Sequence, residues 1–201
     1  RDAEDEQAMR AFRAGDRDAF ARLVDRHEKG IFNFCLRMLG SRPAAEDATQ
    51  EVLLKVVRSA ERWTPKAKVR TWMYAIARNH CIDEARKAKH RQTESLDRPL
   101  KAEQEGEATV LDRVADERAP APDRGADSAR LREPLVRALA ALPEEQREVF
   151  IMREQVGLPF KEIAEIAGVP ENTAKSRMRY ALEGLRASLA ASGILREDIL
   201  P

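Results

Sequence analysis

The sequence predicts an all-α fold made of two small helical domains joined by a flexible linker. Three observations predict it. Apolar residues recur at spacings of three and four over most of the chain, the period of amphipathic helices. Aromatic residues make up only 5% of the 201 positions and β-branched runs are scarce, which leaves little material for a large sheet. Charged residues reach 35%, against about 25% in ordinary globular proteins. That surplus suits helices with narrow apolar stripes and wide wet faces.

The elements follow in order. A first helix is expected from about Asp5 to Ala14, stopped by Gly15. A second opens after Asp16, a good N-cap, and carries Phe20, Leu23, Val24, Ile31, Phe34, Cys35 and Met38 at helical spacing up to Gly40. A third starts at Pro43, with Glu46 and Asp47 near the positive end of its dipole, and runs to about Ser59. A loop from Ala60 to Lys68 contains Trp63 and Pro65. A fourth helix, about Val69 to Arg91, is expected to bury Trp72, Met73, Ile76 and Ile82. Trp72 falls in phase with Ile76, so it reads as core. His80 and His90 read as polar surface residues, because neither has partner ligands in the sequence.

From Gln92 to about Arg130 the composition changes to prolines, glycines and charges, with Val110, Leu111 and Val114 as the main apolar content. That is linker composition, with at most a short helix around Val110. Helical periodicity then returns over Leu131 to Ala141, from Pro143 through Met152, over Phe160 to Ala167, and from about Glu171 to Ala190. The expected organisation is therefore a first domain over 1–92, a linker over 93–130, a second domain over 131–190 and a tail over 191–201. The tail either extends the last helix or packs on the second domain.

Net charge is +1, but basic blocks at Arg86–Arg91 and Lys175–Arg179 are separated by an acidic stretch, Glu94 to Asp127. Separated blocks of this kind suit a protein that touches nucleic acid with some surfaces only. Two cysteines and three histidines form no metal-ligand spacing, so neither a zinc site nor a disulfide framework is expected, and no cofactor is called for. No apolar run reaches the roughly 18 residues of a membrane span, and a cytoplasmic protein without membrane insertion is the expectation.

The clearest local motif lies near the C-terminus. Phe160 to Pro170 has the form of the first helix and turn of a helix-turn-helix. Ala164 is small where two helices cross. Gly168 suits a left-handed backbone position, Val169 fills the corner, and Pro170 presets the next helix. Glu171, Asn172, Thr173, Lys175, Ser176, Arg177, Arg179 and Tyr180 then occupy the opening turns of the second helix, the part such a motif inserts into the major groove. Arg and Lys reach guanine edges or phosphates, and Asn pairs with adenine.

Two stretches of the first domain, Ala45–Val56 and Val69–Lys87, resemble region 2 of bacterial sigma factors of the extracytoplasmic function (ECF) group. Leu142 through Arg179 resembles region 4 of the same group. The resemblance implies a sigma factor: a subunit that binds core RNA polymerase and directs initiation at promoters through −10 and −35 elements, with no chemistry of its own. It implies docking of region 2 on the polymerase β′ coiled coil through Asp47, Gln50 and Glu51, with Arg37 and Lys55 nearby, and of region 4 on the β flap. Glu46, Asp47, Gln50 and Glu51 share one helix face, which suits an Arg-rich partner.

For the −10 element the resemblance implies strand opening and capture of an unstacked base. Here the candidates are Trp63, Lys66 and Lys68 in the loop, with Trp63 placed to stack on a base. Arg70 and Arg78 are placed to meet phosphates, and Asn79, Asp83, Arg86, Lys87 and His90 recur along one side of the fourth helix. The −35 reader is the helix from Glu171. An anti-sigma partner that packs between the domains is also implied. Leu53 in place of Phe, Asn172 in place of Gly, and Tyr180–Leu182 in place of a more basic run depart from the family pattern. The last two bear on which −35 sequence is read, not on how the helix docks.

Two other readings compete. A helix-turn-helix regulator acting without polymerase would need a sensing or dimerising first domain, and no apolar surplus for a ligand pocket is present. A helical hydrolase using Asp47, Glu51 and Asp83 would need a metal cluster, nucleophile elbow or phosphate loop, none of which the sequence contains.

Overall fold

The structure, a computed structural model, describes residues 2–96 and 127–194. Among the described residues every regular element is a helix. The chain divides into two compact units, one carrying the first four α-helices and the other most of the remaining four. The expected short helix around Val110, and residues 195–201 of the expected tail, lie outside the described residues.

The first unit is built from α1 (Asp2–Arg13), α2 (Arg17–Leu39), α3 (Arg42–Ser59), a 3-10 turn (Ala60–Arg62) and α4 (Val69–Leu96). The signals at the ends of α2 act as the sequence predicts. The Asp16 carboxylate accepts from the Ala19 N–H at 3.1 Å, and Gly40 closes the helix at φ +70°. α2 lies at the centre, packed against α1, α3 and α4. Its Leu23, Ile31 and Phe34 are fully buried, with Met9 of α1, Val52 of α3 and Met73 of α4. Phe34 and Tyr74 meet edge-to-face at 5.6 Å. Gly30 permits the approach of α4, because a Cβ there would lie 2.6 Å from the Tyr74 hydroxyl oxygen.

A buried polar tie fixes α1. Asp5 is 1% exposed, and its Oδ2 lies 2.7 Å from His27 Nε2, while Arg26 pairs with its other oxygen. Buried charge is tolerated when its oxygens are satisfied in this way. Cys35 on α2 and Cys81 on α4 are both buried free thiols.

The second unit contains α5 (Asp127–Ala141), α6 (Glu144–Glu154), α7 (Phe160–Ala167) and α8 (Glu171–Ala191). α8 packs on α5 and α6. Ala138, Leu139, Leu142, Ala181 and Leu185 form a cluster, with Phe150 and Leu189 against it. Gly184 lets α8 lie close to the α5–α6 corner, since a Cβ would come 2.8 Å from Leu142 Cδ2.

Two boundaries differ from the sequence expectation. α4 continues to Leu96, into the stretch read as linker, and α5 begins at Asp127 and runs through Pro134. Proline removes one backbone donor but does not forbid a helix whose other bonds are made. Linker composition alone does not mark where the last helical hydrogen bond falls.

Candidate nucleic-acid interface

In the second unit the turn between α7 and α8 has the expected geometry. Gly168 sits at φ +68°, and the Val169 N–H donates to the Ala164 carbonyl at 3.1 Å. Ala164 is buried and Val169 half-buried, which sets α8 at a fixed angle to α7. Glu171, Asn172, Lys175, Ser176, Arg179 and Tyr180 are exposed on the opening turns of α8, and Thr173 is half-buried. Lys175 pairs with Glu171 at 2.7 Å, and the Arg179 guanidinium lies over the Tyr180 ring, 4.9 Å from its centre.

Arg177 stands apart from this set. Its side chain is 21% exposed and its guanidinium faces α6, with Nη1 3.5 Å from Glu148 Oε1 and Nη2 3.8 Å from Glu145 Oε1. Glu148 is fully buried. Arg177 therefore ties the recognition helix to α6 rather than standing on the exposed face with Lys175 and Arg179. A carboxylate removed from water needs such a partner. Glu148 has no individual role in the sequence reading, and only the packing of α6 on α8 reveals the tie.

In the first unit a cleft of about 370 Å³ opens between α3 and α4. Lys55, Arg58, Ser59 and Arg62 line one wall, and Ile76, Asn79, His80 and Asp83 line the other. Of these, Asn79 and Asp83 were predicted for the −10 element. Lys55 was predicted for polymerase docking, yet its ammonium donates to His80 Nδ1 at 2.9 Å inside the cleft. Arg58, Ser59, Arg62, Ile76 and His80 were missed, because the face they form exists only once α3 and α4 are packed. His80 is 8% exposed, not a surface residue. Burial, and then the neighbouring Lys55 charge, hold its imidazole below the ordinary value of 6.5.

The remaining −10 candidates divide. Lys66, Lys68, Arg86, Lys87 and His90 are exposed, and Arg70 and Arg78 are half-buried. Lys68 pairs with Asp2 at 3.0 Å, Lys87 pairs with Glu84 at 2.9 Å, and Arg78 donates to the Asn79 side chain at 3.3 Å. Trp63 corrects the sequence reading. It is 2% exposed, and its indole N–H donates to the Ala67 carbonyl at 3.0 Å. A ring so enclosed offers no face to a base. Trp72, expected in the core, is only half-buried. Trp63 is the more deeply buried of the two because the 60–68 segment folds back on the bundle, which helical periodicity cannot report.

A third surface lies on the outer side of α3. Asp47, Gln50, Leu54 and Val57 follow one another at spacings of three and four, all exposed, with half-buried Glu51 beside them. Leu54 and Val57 are 47% and 39% exposed. Arg37 is exposed on α2. Among the described residues no group of acids, histidines and cysteines could hold a metal ion, and no helix is long and apolar enough to cross a membrane.

An exposed helix start set by a glycine turn has the form of a helix-turn-helix, and a separate cationic cleft lies in the other helical unit. Residues 23–91 match the family Sigma-70 region 2, and residues 132–185 match Sigma-70, region 4. The ECF RNA polymerase sigma factor SigW of Bacillus subtilis is 33% identical over 184 residues, which cover 90% of this chain and 94% of that protein. The RNA polymerase sigma factor CarQ of Myxococcus xanthus is 31% identical over 90% of this chain and 95% of its own length. The chain belongs to the sigma-70 family of RNA polymerase sigma factors, in its ECF group. The fold agrees: the sigma factor RpoE of Bartonella quintana, solved with the anti-sigma factor NepR, superposes with a TM-score of 0.66 at 21% identity, covering 85% of this chain and 96% of that one. CnrH, solved with the cytosolic domain of CnrY, gives 0.64 at 20% identity, covering 94% and 97%. Membership does not favour the free-standing regulator, and the relatives matched are sigma factors.

Proposed function

We propose that this chain binds core RNA polymerase and directs initiation by reading a −35 element with α8 and opening a −10 element at the cleft between α3 and α4. The observation that carries the reading is the pairing of these two surfaces, one on each unit. The first turns of α8 present Asn172, Lys175, Ser176 and Arg179 to solvent, as duplex reading in a major groove requires. The cleft presents Lys55, Arg58 and Arg62 beside Asn79 and Asp83. It is concave and cationic, as capture of an unstacked base next to its phosphates requires. Exposed Arg86, Lys87 and His90 continue the basic side of α4 and serve the adjoining backbone. Lys66, Lys68, Arg70 and Arg78 are assigned to phosphates on the same unit. Trp63 has no direct part.

The outer face of α3, with Asp47, Gln50 and Glu51 and the exposed pair Leu54 and Val57, is assigned to the polymerase β′ coiled coil, with Arg37 at its margin. Acids flanking apolar side chains suit a basic amphipathic partner helix. The second unit is assigned to the β flap. The protein performs no bond chemistry itself and works in the cytoplasm, where its polymerase is. An anti-sigma partner is also part of the proposal: it covers Leu54 and Val57 on one unit and Leu135, 39% exposed, on the other when polymerase is absent. Co-purification with the product of a neighbouring gene tests that partner.

Run-off transcription with purified core polymerase tests the whole. The chain is expected to form a holoenzyme and to start transcripts at defined genomic sites, while binding duplex DNA poorly without core. A chain that neither binds core nor directs initiation, yet shifts an operator duplex alone, would refute the proposal.

A further inference from the structure

The cleft contains a pairing that neither base reading nor polymerase docking accounts for. Lys55 Nζ lies 2.9 Å from His80 Nδ1. An ammonium only donates, so the imidazole accepts at Nδ1, stays neutral and carries its proton on Nε2. The surroundings favour that state. His80 is buried, and it faces the cations Lys55 and Lys87 and the carboxylates Glu51 and Glu84. Arg58, Arg62 and Asp83 share its cleft.

What the pairing does follows from its chemistry. A lysine held by a carboxylate has its charge cancelled. A lysine held by a neutral imidazole keeps all of it. The nearby carboxylate that might have neutralised Lys55, Glu51, lies 3.5 Å from Arg58 instead. Lys55 therefore has a fixed direction, no carboxylate paired with it among the described residues, and two further N–H donors. A free lysine loses rotamer freedom when it is pinned to a ligand, and here part of that ordering is made beforehand.

We infer that His80 is a positioning residue, which holds the Lys55 ammonium at the cleft wall to meet the backbone phosphate of an unpaired −10 nucleotide. The inference rests on the sigma-factor reading of the cleft and adds to it a residue that touches no DNA. It also moves Lys55 from polymerase docking to strand capture.

The test uses holoenzyme reconstituted with core polymerase and a forked promoter, found by the run-off assay, whose non-template −10 strand is already single. His80→Phe keeps the burial and removes the acceptor. It is expected to weaken fork binding about tenfold, the scale of one hydrogen bond to a charged group. His80→Asn, whose amide oxygen can replace Nδ1 as acceptor, is expected to restore most of the binding. Lys55→Met is expected to lower the salt slope of fork binding by about 0.7, the value for one phosphate on a single strand. The double variant should bind no more weakly than Lys55→Met alone. Core binding should be unchanged throughout.

Equal losses in His80→Phe and His80→Asn, or fully additive losses in the double variant, would overturn the inference. So would loss of core binding in Lys55→Met. If His80→Phe fails to fold by circular dichroism, the salt slope of Lys55→Met decides. A wild-type chain inactive in run-off transcription sinks the sigma-factor reading itself, whereas an active wild type with unresponsive variants sinks only this inference.

Discussion

On α8, Lys175 and Arg179 stand in solvent and pair with Glu171 and Glu183 one turn away on the same helix. At the α3–α4 cleft, Lys55 and Arg58 of α3 and Arg62 of the 3-10 turn are gathered together, and Lys55 is held by a residue 25 positions distant. Exposed pairs within one helix are worth a few tenths of a kcal/mol and exchange readily with a phosphate. A cation held across two helices is aimed by the fold. The contrast matches two tasks. A duplex has its own shape and needs a rigid helix start laid against it. A single strand has no fixed shape, so the protein must supply one.

The sharpest test of this contrast is the core behind the cleft. Trp63→Ala should destabilise the first unit by about 3–5 kcal/mol, the usual range for emptying a buried aromatic site, while half-buried Trp72→Ala should cost much less. Chemical denaturation of the full chain followed by circular dichroism compares the two. Equal costs would mean that the 60–68 segment is not folded onto the bundle.

Besides its apolar cluster, the second unit has a charged tie between α6 and α8. Arg177→Ala should cost about 2 kcal/mol, below the range for breaking a fully buried pair because the guanidinium is partly exposed. Its loss should lower promoter affinity and leave the salt slope of −35 binding unchanged. A slope that falls by about 0.9, the value for one duplex phosphate, would return Arg177 to the DNA-contacting set.

On the outer face of α3, Leu54→Asp should weaken core binding about tenfold or more, as for an interface anchor, with little change in thermal stability, since Leu54 is 47% exposed. A drop in stability with core binding intact would place Leu54 in the fold instead.

Stability should also depend on pH through His80. Its folded-state value lies below 6.5, so below that pH the unfolded chain binds more protons than the folded one. The stabilisation is full above 6.5 and is lost as the pH falls through the folded value. Tryptophan fluorescence follows it, because both tryptophans, Trp63 and Trp72, lie in the first unit. His80→Asn should flatten that part of the profile. The smallest effect belongs to Lys175→Ala, which should lower the −35 salt slope by about 0.9 and leave stability unchanged.

Much of this was legible in the sequence, and the reason differs by region. The helix-turn-helix could be read residue by residue because its determinants are local: Gly168 must take a positive φ, Ala164 must be small, and the exposed face follows from the period of one helix. The caps of α2 were legible for the same reason. The cleft was half legible. Asn79 and Asp83 share one side of α4, but Arg58 and Arg62 belong with them only because α3 packs beside α4. Trp63 and His80 were misplaced because their burial is decided by a loop folding back and by a neighbouring helix, neither of which leaves a periodic trace. Arg177 looked like its neighbours Lys175 and Arg179 until α6 supplied Glu148.

The thiol pair of the first unit has a practical corollary. Cys35 on α2 and Cys81 on α4 are the chain's two cysteines, and both are buried. Any reaction with a thiol reagent must therefore wait for those two helices to part. Labelling rate then becomes a clock for the opening of that bundle, readable in the untouched protein. With polymerase bound, the same clock would show whether docking slows the opening of that bundle.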